Sequence, residues 1–278
     1  MKQAIYIFLI CLLTALPLAA QDDTCPYLEC CYTSQAKFNA LNKDKVNQDE
    51  WALRIAKDCA EFYSVWHRTH KSLKDSILGS VGSLEDWYAA REKVLCPPST
   101  NSEALYKDYP AQGKLVYVRK IFSTLYQYEE TYERPAWQVK TEKKDIMGYA
   151  CQKATADFRG RTWIAWFAPE VPVMEGPWKL HGLPGLILEA YDAEDDYHYT
   201  CIELKRLQGE KPIRVPQKKY VKCDRKELDK LLSTYENNPN DYMKLQGLPM
   251  AYKVQSDGTL TTKLYDACST IPSNANSL

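Results

Sequence analysis

The sequence predicts an α+β fold: an antiparallel β-meander, forming a curved sheet or half-barrel, with an N-terminal helical hairpin and a C-terminal helix. Three observations support this prediction. Residues 114–204 alternate apolar and polar residues in short runs separated by polar turns, which is typical of antiparallel strands. Residues 35–97 place apolar residues at three- and four-residue steps, which favours amphipathic helices. A capped helical pattern begins after Asp224.

The helical pattern of residues 35–97 divides into two parts. The first begins at the capping sequence Asn47 to Glu50 and is broken by the Gly/Ser-rich residues 79–83. A second helix opens with Ser83 and Asp86 in capping-box spacing and is stopped by two prolines after Cys96. The apolar stripe of the first helix consists of Trp51, Ile55, Cys59, Phe62, Trp66, Leu73 and Ile77.

The strand pattern begins after residues 99–113, which are typical of a linker and turn. The absence of a strand–helix–strand rhythm argues against a parallel sheet. The predicted strands are residues 114–122, 126–132, 137–142, 146–154, 161–167, 186–191 and 197–204.

The stretch GPWKLHGLPGLIL, residues 176–188, is rich in glycine and proline and then becomes aliphatic. Pro184 fixes the φ angle that a type II turn needs, Gly185 supplies a positive φ, and Gly182 lets the backbone pass close to the sheet. A buried turn that starts a strand explains the stretch without a ligand. The alternative is a loop that closes over a pocket lined by tryptophans.

The first twenty residues are typical of a cleaved secretory signal, with Lys2 before an apolar run and small residues near position 20. We therefore expect a periplasmic or secreted protein with no integral membrane segment after cleavage. The predicted organisation is a signal peptide (1–20), a helical disulfide-containing segment (21–100), an antiparallel β domain (101–255) and a tail (256–278).

Ten cysteines are present, of which nine remain after cleavage. In an exported protein their default state is the disulfide. Cys59 and Cys96 lie at comparable distances from the predicted helical turn, which makes a bridge between them a hypothesis. Cys151 and Cys201, both in predicted strands, are the other disulfide candidates. The spacing of Cys25, Cys30 and Cys31 does not match a zinc motif.

Charge and motifs exclude several classes of protein. The chain has 36 basic and 36 acidic residues, so it carries no net electrostatic signature of a nucleic-acid-binding protein. It has neither a G-x-S-x-G motif nor an H-E-x-x-H motif. His67 and His70 are expected on a solvated helix face, and the acidic residues 192–196 in a solvated turn. We expect no metal and no cofactor, and a nucleophilic pair of Cys151 and His181 has little support.

Aromatic residues give the remaining indication of function. Trp163 and Trp166 fall on opposite faces of one predicted strand, so each face needs a cover: the helical segment, or an apolar or peptide ligand. Arg161 and Lys179 would suit an anionic end group of that ligand. The candidate ligand-binding residues are Tyr149, Arg161, Trp163, Trp166, Trp178, Lys179 and His181.

Several of these stretches resemble the GLPGLI family of exported bacterial proteins. Residues 182–187 (GLPGLI) match its motif, residues 176–179 (GPWK) its approach, and residues 148–154 (GYACQKA) and 158–167 (FRGRTWIAWF) two of its strands. The resemblance covers residues 105–255 and implies an envelope location in Gram-negative bacteria and a mostly antiparallel β domain. It implies no catalytic residues, because the family has no assigned activity.

The sequence thus predicts a non-enzymatic binding protein of the cell envelope that uses a Trp/Tyr-rich sheet. Its expected partner is an apolar or peptide ligand, or an outer-membrane or envelope protein. The alternative is a periplasmic hydrolase or peptidase of an unrecognised type.

Overall fold

The computed structural model describes residues 23–37, 46–80, 82–97, 99, 101–247, 253–254 and 260–261. The predicted signal peptide and most of the predicted tail lie outside these residues. Nearly all the described strands belong to one open sheet, in which the strand order is β12-β6-β5-β4-β3-β2-β1-β11-β10-β9-β8-β7. All of its pairs are antiparallel except that between β12 and β6, so the sheet is mixed.

Most of the sheet comes from long antiparallel strands. Its members are β1 (Leu28–Ala36), β2 (Asn47–Ile55), β3 (Ala60–Ser64), β4 (Ala104–Lys107), β5 (Lys114–Ile121), β6 (Thr124–Thr131), β7 (Gln138–Ile146), β8 (Tyr149–Phe158), β9 (Arg161–Ala168), β10 (Leu186–Asp192), β11 (Tyr197–Arg206) and β12 (Val221–Lys222). A separate pair joins β13 (Lys253–Val254) to β14 (Leu260–Thr261). The strands predicted between residues 114 and 204 correspond to β5 to β11.

Four helices are described: α1 (Val65–Gly79), α2 (Leu84–Arg91), α3 (Arg225–Asn237) and α4 (Pro239–Leu245). The predicted capping box at Ser83 and Asp86 is present, and Asp224 caps α3 in the same way. Since the side chain of each cap accepts from a free backbone N–H of the first turn, both helices begin where the sequence predicts.

The prediction of helix from residue 47 onward is wrong, because residues 47–64 form β2 and β3. Trp51 and Ile55 are four residues apart, and an even spacing also places two side chains on one face of a strand. The real start of α1 is Ser64, whose Oγ accepts from the backbone N–H of His67 at 3.0 Å. The helical hairpin is therefore limited to α1 and α2. Residues 99–113, predicted as a linker, contain β4, which pairs with β3.

The hypothesis of a Cys59–Cys96 bridge assumed that both cysteines lie on the arms of one helical hairpin. Cys59 instead lies between β2 and β3, and Cys96 follows α2, so that assumption is wrong. The eight cysteines that the structure describes are all free thiols.

The sheet curves towards the face that carries the hydrophobic core, here called the inner face. Phe62 of β3 and Tyr199 of β11 are separated by three strand steps, which in a flat sheet would be roughly 14 Å. Their ring centroids are nevertheless 6.1 Å apart, in edge-to-face contact. Tyr32 of β1 lies in the core with them, and its ring centroid is 6.4 Å from that of Phe62 in an edge-to-face arrangement. This curvature turns the inner face into a concave surface.

The GLPGLI stretch leads into β10. Gly185 has φ 158°, which is not the angle of a type II turn, and its N–H donates to Leu183 O at 2.8 Å. Glycine is required at position 185 because there is no room for a side chain: a Cβ atom there would fall within 3.0 Å of the carbonyl oxygen of Ala168. At Gly182, where φ is +90°, a Cβ would strike the side chain of Arg134. The stretch is thus fixed by close packing on the strands beneath it.

A candidate ligand cleft on the inner face

A narrow cleft of about 70 Å³ opens between the inner face, the loop before β10 and helix α3. We call it the inner cleft. Seven aromatic side chains line it: Trp51, Phe62, Tyr117, Tyr128, Trp178, Tyr197 and Tyr199. Five charged side chains also line it: Asp49, Glu103, Arg119, Lys179 and Asp229. Large aromatic surfaces with a few converging charges are typical of ligand sites.

The aromatic rings of the cleft are held by one another. Tyr117 of β5 stacks on Tyr128 of β6 with centroids 4.9 Å apart, because the two residues are directly paired in the sheet. Trp51 stacks on Phe62 of the next strand, also at 4.9 Å. Since both stacked pairs are formed within the protein itself, this part of the cleft wall is preformed.

Trp178 and Lys179 enter the cleft from the loop that precedes β10. The loop is anchored by Lys107, whose fully buried Nζ donates to Gly176 O at 2.6 Å and to Glu175 Oε2 at 3.0 Å. Trp178 adopts φ 49° and stacks on Trp163 at a centroid distance of 5.7 Å. The strained backbone and the buried anchor together turn these two side chains inward.

Lys179 is a buried cation with a carboxylate partner. Its side chain is 4% exposed, and its Nζ lies 2.7 Å from Glu130 Oε1 and 3.1 Å from the hydroxyl of Tyr128. Burial lowers the pKa of Lys179 to about 8, against the attraction of Glu130. Glu130 also pairs with Arg159 at 3.2 Å. Arg159 also pairs with Glu133 at 3.4 Å, and Asp229 of the cleft lies close enough to Lys179 to interact with its charge. Lys179 is thus one member of a buried network of paired charges at this end of the cleft.

The opposite end is formed by polar residues at the ends of β2 and β4. Asp49 accepts from Ser64 at 3.0 Å, from Asn101 at 2.6 Å and from Ser99 at 2.5 Å. Burial raises the pKa of Asp49 to about 6, although these hydrogen bonds act in the other direction. Glu103 lies 3.9 Å from Arg119. The cleft therefore carries both carboxylates and basic side chains along its length: Asp49 and Glu103 with Arg119 here, and Lys179 with Asp229 near the loop.

Helix α3 covers part of the cleft. Leu228 and Leu232 face it and belong to a small hydrophobic cluster with Tyr126 and Tyr128 of β6. Asp229, between them, also lines the cleft, and burial raises its pKa. Helix α3 thus packs its apolar stripe, Leu228 and Leu232, against the sheet and places the carboxyl group of Asp229 in the cleft.

The seven predicted ligand-binding residues do not form one site. Trp178 and Lys179 line the cleft, and Trp163 lies beneath Trp178 with no exposed surface. Arg161 pairs with Asp192 and lies 4.6 Å over the ring of Tyr197, a cleft residue.

The remaining predicted residues lie elsewhere. The ring of His181 stacks on Tyr132 at 3.7 Å, and Tyr149 begins β8. Trp166 lies on the outer face of the sheet, where the Nζ atoms of Lys144 and Lys153 lie 4.6 and 6.0 Å from the centroid of its ring. Among the described residues, helix α1 contacts β2 and β3 and not β9, so the predicted helical cover of Trp166 is not found there. His70, expected in solvent, is buried with Nε2 2.9 Å from Cys96 O.

Comparison with known proteins gives one short family match and no function. Residues 159–189 match a family described as "Protein of unknown function (Porph_ging)". This segment contains β9 and the GLPGLI stretch, but the match does not confirm the GLPGLI family name. No curated protein matches the chain.

Two solved structures of PNGF-II, in different crystal forms, are similar to this chain at 14% and 13% identity, with TM-scores of 0.46 and 0.45. Each alignment covers 72% of this chain and 31% of the PNGF-II chain, so this chain spans less than a third of that protein's length. Within the described residues, no helix combines the length and the apolar character needed to cross a membrane.

Proposed function

We propose that this protein is exported and binds a peptide segment, of which one or two side chains enter the inner cleft. The observation that supports the proposal is the combination of seven aromatic rings with acidic and basic side chains around one concave cleft. A peptide has apolar side chains for the rings and polar groups for the charges. A wholly apolar ligand would leave Asp229 facing hydrocarbon, which is unfavourable for a carboxylate.

Binding is the activity that the cleft supports best. Its aromatic side chains are held by stacking, and Lys179 and Asp49 are engaged in hydrogen bonds. A preformed wall reduces the ordering cost of association. The alternative function, a periplasmic hydrolase or peptidase, requires a nucleophile or an activated water at the same place.

Native mass spectrometry of the full-length chain after export tests the proposal. The mature protein is mixed with a pool of synthetic hexapeptides of varied sequence. We expect a start near Gln21 and complexes of one protein with one peptide. Trp178→Leu and Asp229→Lys should reduce the complexes, whereas Glu85→Lys on exposed α2 should not; thermal melting verifies that each variant folds.

Two results would contradict the proposal. The first is a protein that binds no member of the pool, or binds it equally well in all three variants. The second is shortening of the peptides with time, which would favour the hydrolase. A mature protein that keeps its first twenty residues would contradict export alone.

A further inference from the structure

A second concave surface lies on the outer face of the sheet. It is bounded by helix α1, by strands β3 to β5 and by residues 212–220, and we call it the outer groove. Nine basic and three acidic side chains line it, although the whole chain has equal numbers of both. A local excess of one sign in a groove attracts ligands of the opposite sign.

The three acidic side chains of the groove already have basic partners. Glu61 pairs with Arg68 at 2.6 Å, Asp75 pairs with Lys71, and Glu103 lies 3.9 Å from Arg119. These pairs use three of the nine basic groups, and a fourth, Arg54, pairs with Glu210 at 2.7 Å. The excess positive charge of the groove therefore has to come from the others.

Three lysines from three different elements supply much of that excess. Lys74 comes from α1, Lys120 from β5 and Lys218 from the segment before β12. Within the part of the chain that the structure describes, no carboxylate lies within 4.0 Å of their Nζ atoms. Burial lowers the pKa of Lys120, and the nearby Lys74, Lys71 and Lys218 lower it further. The lysines are thus close enough to repel one another.

We propose that the outer groove binds an acidic polypeptide segment through Lys74, Lys120 and Lys218. The aromatic rings of the groove argue against a single-stranded nucleic acid, which needs free rings for its bases. Lys74 lies 4.8 Å over the ring of Trp87, and Arg68 lies 3.1 Å over that of Tyr63. Lysines that act as separate point charges suit a series of carboxylates.

The proposed site in the outer groove is independent of the peptide site proposed in the inner cleft. The two surfaces share only Asn101 and Glu103, just before β4, and Arg119 of β5, and none of the three lysines lines the cleft. Trp178→Leu should therefore leave binding in the groove unchanged, and failure of one proposal does not affect the other.

Fluorescence anisotropy with a labelled octaglutamate tests the groove, with octaglutamine as the matched probe. Lys74→Gln, Lys120→Gln and Lys218→Gln combined should weaken octaglutamate binding at least tenfold, since one exposed ion pair contributes up to about fivefold. Lys140→Gln, Lys143→Gln and Lys205→Gln combined remove the same charge outside the groove and should have less than about a twofold effect. Raising the ionic strength from about 0.1 M to about 1 M should abolish binding, because the Debye length falls from about 10 to about 3 Å.

Three results would overturn the proposal. They are no binding of octaglutamate by the natural protein, equal weakening by both triple variants, and tighter lysine-dependent binding of a heparin oligosaccharide or a single-stranded oligonucleotide than of octaglutamate. The last result would assign the groove to a different polyanion.

Discussion

The Sγ atoms of Cys30 and Cys201 lie 3.0 Å apart in the core, although the two residues are 171 positions apart in the sequence. Cys30 is on β1 and Cys201 on β11, which are adjacent strands with a register shift at Cys31 and Tyr32. The sequence predicted disulfide candidates by compartment and named Cys201, but it gave no reason to choose Cys30. The strand register brings the two thiols together.

We expect Cys30 and Cys201 to form a disulfide when the protein folds in the presence of oxidised glutathione. Thiol–disulfide exchange converts the two thiols into one protein disulfide and reduces one oxidised glutathione to two thiols. The intact mass should fall by two hydrogen atoms, and the bond should add about 2–4 kcal/mol to the free energy of unfolding. Burial raises the pKa of Cys30 well above its ordinary range, so oxidation of the folded protein should be slow.

Peptide mapping of the unreduced protein verifies this pairing. Cys201→Ala should abolish the mass change, and Cys151→Ala should leave it intact. A bridge between Cys151 and Cys201, or free Cys30 and Cys201 after oxidative folding, would show that the prediction is wrong.

Gly185→Ala should destabilise the protein by about 1–3 kcal/mol, the usual cost of overpacking. The added methyl group would collide with the backbone of Ala168 and Pro169, which cannot move without disturbing β9. Gly79→Ala, at a position with no atom within 4 Å and no positive φ, serves as the control. Urea unfolding should show a loss for the first variant and no loss for the second; equal effects would refute the close-packing explanation.

Lys107→Met should cost more stability than Lys179→Met. Without Lys107, the carboxylate of Glu175 loses its ion pair. It keeps only the hydrogen bond that the hydroxyl of Tyr132 donates at 3.3 Å. Breaking a buried pair in this way typically costs about 3–5 kcal/mol. Glu130, by contrast, keeps Arg159 when Lys179 is removed. Urea unfolding of both variants measures the difference, and a larger loss for Lys179→Met would contradict this account of the loop anchor.

His181 should make the protein sensitive to acid. Burial lowers its pKa from 6.5 to about 4, so the unfolded chain binds a proton at a higher pH than the folded protein does. The stability due to neutral His181 is complete above pH 6.5 and is lost as the pH falls towards 4, by about 3 kcal/mol at most.

Urea unfolding between pH 4 and pH 7 tests this prediction. His181→Phe keeps a ring against Tyr132 and should reduce the loss of stability on acidification. An unchanged pH dependence in that variant would assign the acid sensitivity to other groups.

The sequence predicted the strands of the sheet better than their partners. The strands predicted at 114–122 and 126–132 would form a hairpin with Tyr117 opposite Thr131. The observed two-residue loop at Phe122 and Ser123 places Tyr117 opposite Tyr128 instead. Shifting the pairing by three residues moves a side chain to the other face of the sheet. A small error in the predicted loop therefore hides the stacking of Tyr117 on Tyr128.

The inner cleft could be predicted only in part for the same reason. The sequence points to Trp178 and Lys179 because they lie in one unusual loop. It predicts a helix for Trp51 and Phe62, because apolar residues three and four positions apart also occur where short strands follow one another. The contact of Phe62 with Tyr199 depends on curvature across four strands, which no local pattern encodes.

Photo-crosslinking at Asp229 tests the central claim, a peptide site in the inner cleft, most directly. The side chain is replaced by benzoylphenylalanine, the hexapeptide pool is added, and the attached peptides are identified by mass spectrometry. We predict peptide adducts at position 229 and none when the same group is placed at Glu85. Absence of adducts at 229, or equal labelling at both positions, would contradict the claim.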